Sequence, residues 1–298
     1  MIITTCGNSI PLAKSIAKSL HSIYSPLTIN AFPDGDIYLQ FNCNLKNKTL
    51  IIVQSFYPHP DQSLFDIIFA AHTAKDLGAK KVILVAPYLG YMRQDKRFHP
   101  GECISSRIMA KLLNGCIDKI ITIDPHLHRY KSMKEIFTIP AINLTANNLI
   151  AEYIKKAYPK KYFKNEVIIG PDWESYQWAE DIAKSVGIPC TVLEKQRISS
   201  LEVHVKMINP ILLRGKDVII VDDIISTGRT IADAARKAKS LGAKTITTIG
   251  VHGIFVEDAI NIMKKAGVNK IISTNTIEKP TSKIDVTSLI ADVLKKEK

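Results

Sequence analysis

The chain has 298 residues, 46% of them hydrophobic and 23% charged, and its 40 Lys and Arg outnumber its 28 Asp and Glu to leave a net charge of +12. That composition excludes collagen-like repeats, low-complexity disorder and a disulfide-dense scaffold, and the length suits two domains of about 150 residues that fold without disulfides or metals. The basic excess favours anionic partners, but five of the eight Arg (Arg93, Arg97, Arg107, Arg197, Arg229) fall in Gly-, Pro- and polar-rich segments; without a basic helix or stacking aromatics, small phosphorylated molecules fit better than nucleic acid.

The chain opens on MIITTCGNSIP, which has no basic flank before an apolar core, and no run approaches the roughly 18 apolar residues of a membrane span. The five cysteines (Cys6, Cys43, Cys103, Cys116, Cys190) are widely spaced and form no CxxC pair. A cytoplasmic location, reduced thiols and no membrane association are therefore expected.

Apolar, β-branched strands are predicted at 1–5, 49–55, 81–87, 119–124, 166–172, 217–223, 244–253 and 270–274, with helical spacing between most of them. Continuous apolar strands alternating with helices predict an α/β fold of mostly parallel sheets flanked by helices. The segment AAHTAKDLGAK at 70–80 matches AARKAKSLGAK at 234–244 in eight of eleven positions, and each copy precedes a strand. Gly78 and Gly242 then serve as left-handed helix caps, and the repetition predicts two similar domains, 1–143 and 144–298.

Taken in order, the chemistry begins at FPDGDIY (32–38), whose PDG reads as a turn. RQDKR (93–97) follows the strand KVILVAP and a Pro-Tyr-x-Gly turn; it is a charged surface loop or, given its place at a strand's end, part of a nucleotide site. IDPH (123–126) and GPD (170–172) also follow apolar strands. EKQR (194–197) holds a Lys-x-Arg pair on a polar stretch that reads as a solvated loop.

The fullest constellation is VIIVDDIISTGRTI (218–231), where a strand runs into Asp222 and Asp223 and a Ser-Thr-Gly turn opens a helix. Such a turn aims backbone N–H groups and the helix dipole at one point, which suits a phosphate, and Ser226, Thr227 and Thr230 add hydroxyl donors. The two carboxylates repel a phosphate and so are expected to face sugar hydroxyls or a magnesium ion. The plainer reading is an acidic strand end with a Ser/Thr N-cap.

DDIISTGRT resembles the phosphate loop of type I phosphoribosyltransferases, and GNSIPLAKSIA (7–17), PYLGYMRQDKR (87–97), ECISSRIMAKLL (102–113) and the closing NTI (275–277), with the motifs above, resemble the ribose-phosphate pyrophosphokinases nearly end to end. The resemblance implies two phosphoribosyltransferase-like domains and transfer of the diphosphoryl group of ATP to the anomeric hydroxyl of ribose 5-phosphate, giving phosphoribosyl diphosphate (PRPP) and AMP. It implies that Lys195 and Arg197 are catalytic residues of a flexible loop and that Phe32, Asp34, Asp36, Arg93 and Gln94 bind ATP. It further implies that Asp222, Asp223, Ser226, Thr227, Gly228, Arg229 and Thr230 bind ribose 5-phosphate, and that His126 and Asp172 are ligands of Mg²⁺. His128 is expected to be a bystander. Because Phe32, Asp34 and Asp36 match residues that reach ATP on a neighbouring subunit, a homo-oligomer with a shared ATP site is implied.

The sequence departs from the resemblance at Arg229, where most relatives carry Gly, and at Glu174 and Ser175, where two small residues are usual. Arg229 is expected to point toward the sugar-phosphate side. A phosphoribosyltransferase consuming PRPP shares the loop but has no use for the RQD and EKQR segments. A non-catalytic regulatory subunit is disfavoured by the retention of Lys195.

Overall fold

The computed structural model describes residues 1–158, 165–197, 203–208 and 211–297, with backbone alone at 193–197 and 203–208. In chain order the elements are β1 (Ile2–Thr4), α1 (Ile10–Ser19), β2 (Ile23–Tyr24), β3 (Leu27–Ala31), β4 (Ile37–Phe41), β5 (Thr49–Val53), α2 (Pro60–Asp76), β6 (Lys81–Ala86), α3 (Ser105–Asn114), β7 (Lys119–Ile123) and β8 (Ala141–Leu144). There follow α4 (Asn147–Ala157), β9 (Glu166–Gly170), α5 (Tyr176–Val186), β10 (Cys190–Arg197), β11 (Val203–Ile208), β12 (Asp217–Ile225), α6 (Arg229–Ser240), β13 (Thr245–Gly253), α7 (Ala259–Lys265), β14 (Lys270–Thr274), β15 (Ser282–Ile284) and α8 (Thr287–Leu294).

The chain divides into two compact units, Met1–Thr145 together with the C-terminal segment from Val286, and Ala146–Asp285. The first contains a sheet in the order β2-β1-β5-β6-β7-β8 with every pairing parallel, and a separate antiparallel hairpin, β3-β4. Residues 50–53, 82–86 and 120–123 are almost wholly buried, because a parallel sheet covered on both faces needs apolar side chains at successive positions. Leu50, Ile52, Leu84 and Ile120 meet α2 and α3 residues such as Ile67, Ala71, Met109 and Leu113 in one core.

The second unit contains a sheet in the order β11-β10-β9-β12-β13-β14-β15, parallel except for the β10-β11 hairpin. Val167, Ile169, Val218, Ile220 and Ile246 pack with Ile231, Ala235 and Ala238 of α6. Among the described residues no helix is long and apolar enough to cross a membrane.

The duplicated segment is a structural repeat. Gly78 and Gly242 both have positive φ (81° and 86°), and Ala79 and Ala243 donate to the carbonyls of Ala74 and Ala238 at 2.9 and 3.0 Å. Lys80 N–H bonds Lys48 O at 2.9 Å in the first unit, and Lys244 N–H bonds Lys216 O at 2.8 Å in the second. The shared turn sets the entry of β6 and of β13, an interior strand in each sheet.

The predicted border at 143/144 differs from the observed division mainly at the other end of the chain. Residues from Val286 onward belong to the first unit, because α8 buries Ile290, Ala291 and Leu294 and packs beside α1. Glu297 then accepts hydrogen bonds from Lys81 Nζ and Lys119 Nζ at the amino ends of β6 and β7.

Candidate active site

In each unit several of the predicted residues follow the carboxyl ends of parallel strands, the edge at which open α/β sheets bind ligands, while others stand on the two antiparallel hairpins. In the first unit the loop after β6 carries Arg93 and Gln94, and the loop after β7 carries His126. Arg93 is exposed, and Gln94 Oε1 accepts the Cys103 thiol at 3.1 Å. Asp95 ties the two loops together: its side chain is fully buried and takes two hydrogen bonds, 3.0 and 3.2 Å, from Arg129 Nη1, while its carbonyl accepts the Tyr130 hydroxyl at 3.1 Å. The rest of the loop is held by Glu102, whose carboxylate accepts the N–H groups of Phe98 and His99 at 2.7 and 3.0 Å. The RQDKR stretch is thus an ordered loop built around one buried carboxylate.

Asp124 and His126 both have positive φ (38° and 54°), a region non-glycine residues seldom occupy and one that concentrates at functional sites. His126 Nδ1 lies 3.0 Å from His128 Nε2, with the rings edge to face at 3.9 Å. His128 thus touches the predicted ligand His126 directly.

Phe32, Asp34 and Asp36 stand at the tip of the β3-β4 hairpin, so the turn expected at PDG is present, flanked by two strands that were not predicted. Gly35, at φ 97°, lets the turn close with Phe32 N–H on Asp36 O and Gly35 N–H on Phe32 O, both 2.8 Å. The tip is solvent-exposed; Phe32 is 51% exposed and meets the Tyr38 ring edge-on at 5.7 Å.

In the second unit β9, β12 and β13 are neighbours, and their carboxyl ends bring three segments together. After β9, Asp172 Oδ1 accepts Ser175 N–H at 3.0 Å and Ser175 Oγ donates to Asp172 O at 2.8 Å, so Ser175 closes the turn that presents the Asp172 carboxylate. Asp222, near the end of β12, feels Asp172 and Asp223: withdrawal from water, then the negative charges of Asp223 and Asp172, hold its carboxyl well above the usual range. This set of crowded carboxylate oxygens fits a hard divalent cation such as Mg²⁺, whose charge would relieve the repulsion.

The turn after β12 has the geometry of an anion cradle. Gly228 is left-handed (φ 71°), and an added Cβ would lie 3.0 Å from Ala259 O and from Met263 Cγ, so conformation and space both require glycine. The first intrahelical bond of α6 is Ala232 N–H to Gly228 O, 2.8 Å, which leaves the amides of Arg229 to Ile231 in the orphan first turn. Among the described residues the hydroxyls of Ser226, Thr227 and Thr230 have no hydrogen-bond partner. The segment after β13 braces the cradle: Ile254 and Phe255 N–H bond Ile225 O at 3.0 and 3.1 Å, and Val256 N–H bonds Ser226 O at 3.2 Å.

Arg229 differs from expectation. As the first residue of α6 its side chain is 71% exposed, and Nη2 lies 3.6 Å from Glu257 Oε2, so its guanidinium engages a carboxylate of the bracing segment. Lys195 and Arg197 also differ, since their backbone is not in a loop: they pair with Val205 and Val203 across the β10-β11 hairpin at the sheet edge. Their side chains lie outside the described residues. Asp95, Arg129 and Glu257 were not singled out from the sequence; each meets a partner distant in the chain that no local pattern signals.

Comparison with known proteins agrees with this layout. Residues 1–116 match the N-terminal domain of ribose phosphate pyrophosphokinase, and residues 132–253 match the phosphoribosyl transferase domain. The chain is 37% identical over 295 residues to the ribose-phosphate pyrophosphokinase of Methanothermobacter thermautotrophicus, covering 99% of this chain and 100% of the relative. It is 35% identical to that of Methanobrevibacter smithii, covering 95% of this chain and 96% of the relative. The phosphoribosylpyrophosphate synthetase of Mycobacterium smegmatis superposes with a TM-score of 0.86 at 26% identity, covering 98% and 97% of the two chains. With both domains matched in order and the relatives covered nearly end to end, the chain belongs to the ribose-phosphate pyrophosphokinase family.

Proposed function

We propose that the protein is a cytoplasmic ribose-phosphate diphosphokinase that moves the diphosphoryl group of ATP onto the anomeric hydroxyl of ribose 5-phosphate, yielding PRPP and AMP. The observation that carries this reading is the cradle after β12, in which a glycine-initiated helix, three hydroxyls without a partner among the described residues and two adjacent carboxylates occupy one strand end. The amides of the turn and Ser226, Thr227, Gly228 and Thr230 take the 5-phosphate, and Asp222 and Asp223 accept hydrogen bonds from the ribose hydroxyls.

Arg93 and Gln94, on the loop fixed by Asp95, bind ATP. Phe32, Asp34 and Asp36 reach ATP on a neighbouring copy, a role supported by the exposure of the hairpin tip, and the active form is then a homo-oligomer. Lys195 and Arg197, two positions apart on β10, share a face of the hairpin and bring positive charge to the transferred group, where negative charge develops. His126 and Asp172 are the proposed ligands of Mg²⁺, which when bound supplies charge neutralisation at the ATP phosphates.

The test is to mix the protein with ATP, Mg²⁺ and ribose 5-phosphate and follow AMP and PRPP by phosphorus NMR. AMP release is expected to require both the sugar phosphate and a divalent cation. Hydrolysis of ATP at a comparable rate without the sugar would overturn the assignment, and no turnover under any condition would favour a regulatory subunit.

A further inference from the structure

The bracing segment after β13 carries a carboxylate at the rim of a site built for an anion, and that placement needs a reason. Glu257 has φ 54°, a backbone region a glutamate adopts only when its surroundings impose it. The surroundings are the cradle's own supports: Val256 N–H on Ser226 O, Ala259 N–H on Val256 O at 3.2 Å, and Ala259 O against Gly228. Glu257 is therefore fixed to the same frame as the phosphate loop. Arg229, at the first position of the loop's helix, is the cation it meets, at 3.6 Å, with side chains 61% and 71% exposed.

We infer that Glu257 is a positioning residue that competes with the sugar phosphate for the Arg229 guanidinium, so that the ion pair sets the affinity of the cradle for phosphate monoesters. The inference rests on the reading of residues 226–230 as a phosphate site. An exposed pair at this distance is weak and easily exchanged, whereas a phosphate offers Arg a planar two-point contact at higher charge. The guanidinium sits on a flexible stem anchored inside the loop itself, so a change of partner needs side-chain rotation alone. The Glu257 backbone stays with the cradle, because its neighbours Val256 and Ala259 are held by the hydrogen bonds just named.

The experiment is a double-mutant cycle read by calorimetric titration of inorganic phosphate and, separately, ribose 5-phosphate into the full chain, Glu257→Gln, Arg229→Gly and the double variant. Glu257→Gln is expected to tighten both ligands three- to fivefold, and Arg229→Gly to weaken them about tenfold. In the Arg229→Gly background the gain from Glu257→Gln is expected to vanish. The KM for ATP should not change in Glu257→Gln, which a general loss of structure would not spare. An equal gain with and without Arg229 would mean simple repulsion by Glu257 and would overturn the inference, as would weaker binding in Glu257→Gln. AMP formation by the unmutated protein tests the enzymatic reading separately; its absence would leave the phosphate titrations to judge the pair.

Discussion

Asp222 Oδ1 accepts the backbone N–H of Asp223 at 3.1 Å, so that two consecutive carboxylates meet at the end of β12, and Asp172 lies near enough to repel Asp222. The folded chain holds a proton on Asp222 more tightly than the unfolded chain does, and stability is lost as pH rises through the raised value. Asp222→Asn removes that cost. It is expected to raise Tm by a few degrees at pH 7.5, the equivalent of roughly 1 kcal/mol in a unit of this size, while weakening ribose 5-phosphate binding at least about tenfold. Thermal melts with ribose 5-phosphate titrations check both; a variant both less stable and equally tight would contradict the arrangement.

In the proposed reaction Lys195 and Arg197 bring positive charge to the transferred diphosphoryl group, where a cation matters most in the transition state. Lys195→Ala is expected to lower kcat about a hundredfold or more with little change in substrate affinity, and Arg197→Ala to behave alike. Steady-state kinetics decide between this and a loss confined to KM, which would move both residues to ground-state binding.

The Asp95–Arg129 pair makes a different kind of claim. The Asp95 side chain is fully buried, and its two bonds from Arg129 connect the loop after β6 to the His126 segment. Arg129→Met leaves a buried carboxylate without its counter-charge; since Arg129 is itself about a third exposed, the loss is expected to be on the order of 2 kcal/mol rather than the full cost of breaking a buried pair. The KM for ATP should rise with it. Asp95→Asn with Arg129→Met should recover part of the stability, and urea denaturation of the three variants measures this.

What could be read in advance follows from how each element is buried. The eight strands predicted from continuous apolar runs are all present, because a doubly covered parallel strand such as Leu50–Val53 has no polar face to interrupt the run. The β3-β4 hairpin has one: Ile37, Leu39 and Phe41 alternate with exposed Tyr38 and Gln40, so no run forms. The polar EKQR stretch hid the end of β10 because it pairs with β11 in an antiparallel hairpin at the sheet edge, where no continuous apolar run is needed. The helix beside α8, α1, lies at the opposite end of the sequence, so no local pattern signals that the C-terminal segment joins the first unit. At the site, strand-end motifs were legible residue by residue, whereas the partnerships of Asp95 with Arg129, His126 with His128 and Arg229 with Glu257 exist only once the loops are folded.

The last prediction concerns a buried acid outside the proposed chemistry. Asp66, on the inner side of α2, is 3% exposed, and among the described residues its Oδ1 has no hydrogen-bond partner. Withdrawal from water pushes its carboxyl up to about 6, and burial with the Asp66 charge also pushes the Cys6 thiol up. A raised acid binds its proton more tightly in the folded chain, so the folded state is favoured below the unfolded value near 4 and loses stability as pH rises to about 6, after which the cost is constant. A shift of about two units corresponds to roughly 2–3 kcal/mol. Asp66→Asn keeps the shape without the charge, and is expected to add about 2 kcal/mol at pH 7.5 while changing little at pH 4. Urea denaturation at pH 4, 6 and 7.5 provides the comparison. If the two proteins differ by the same amount at all three values, the charge of Asp66 is compensated in the fold and its burial carries no pH-dependent cost.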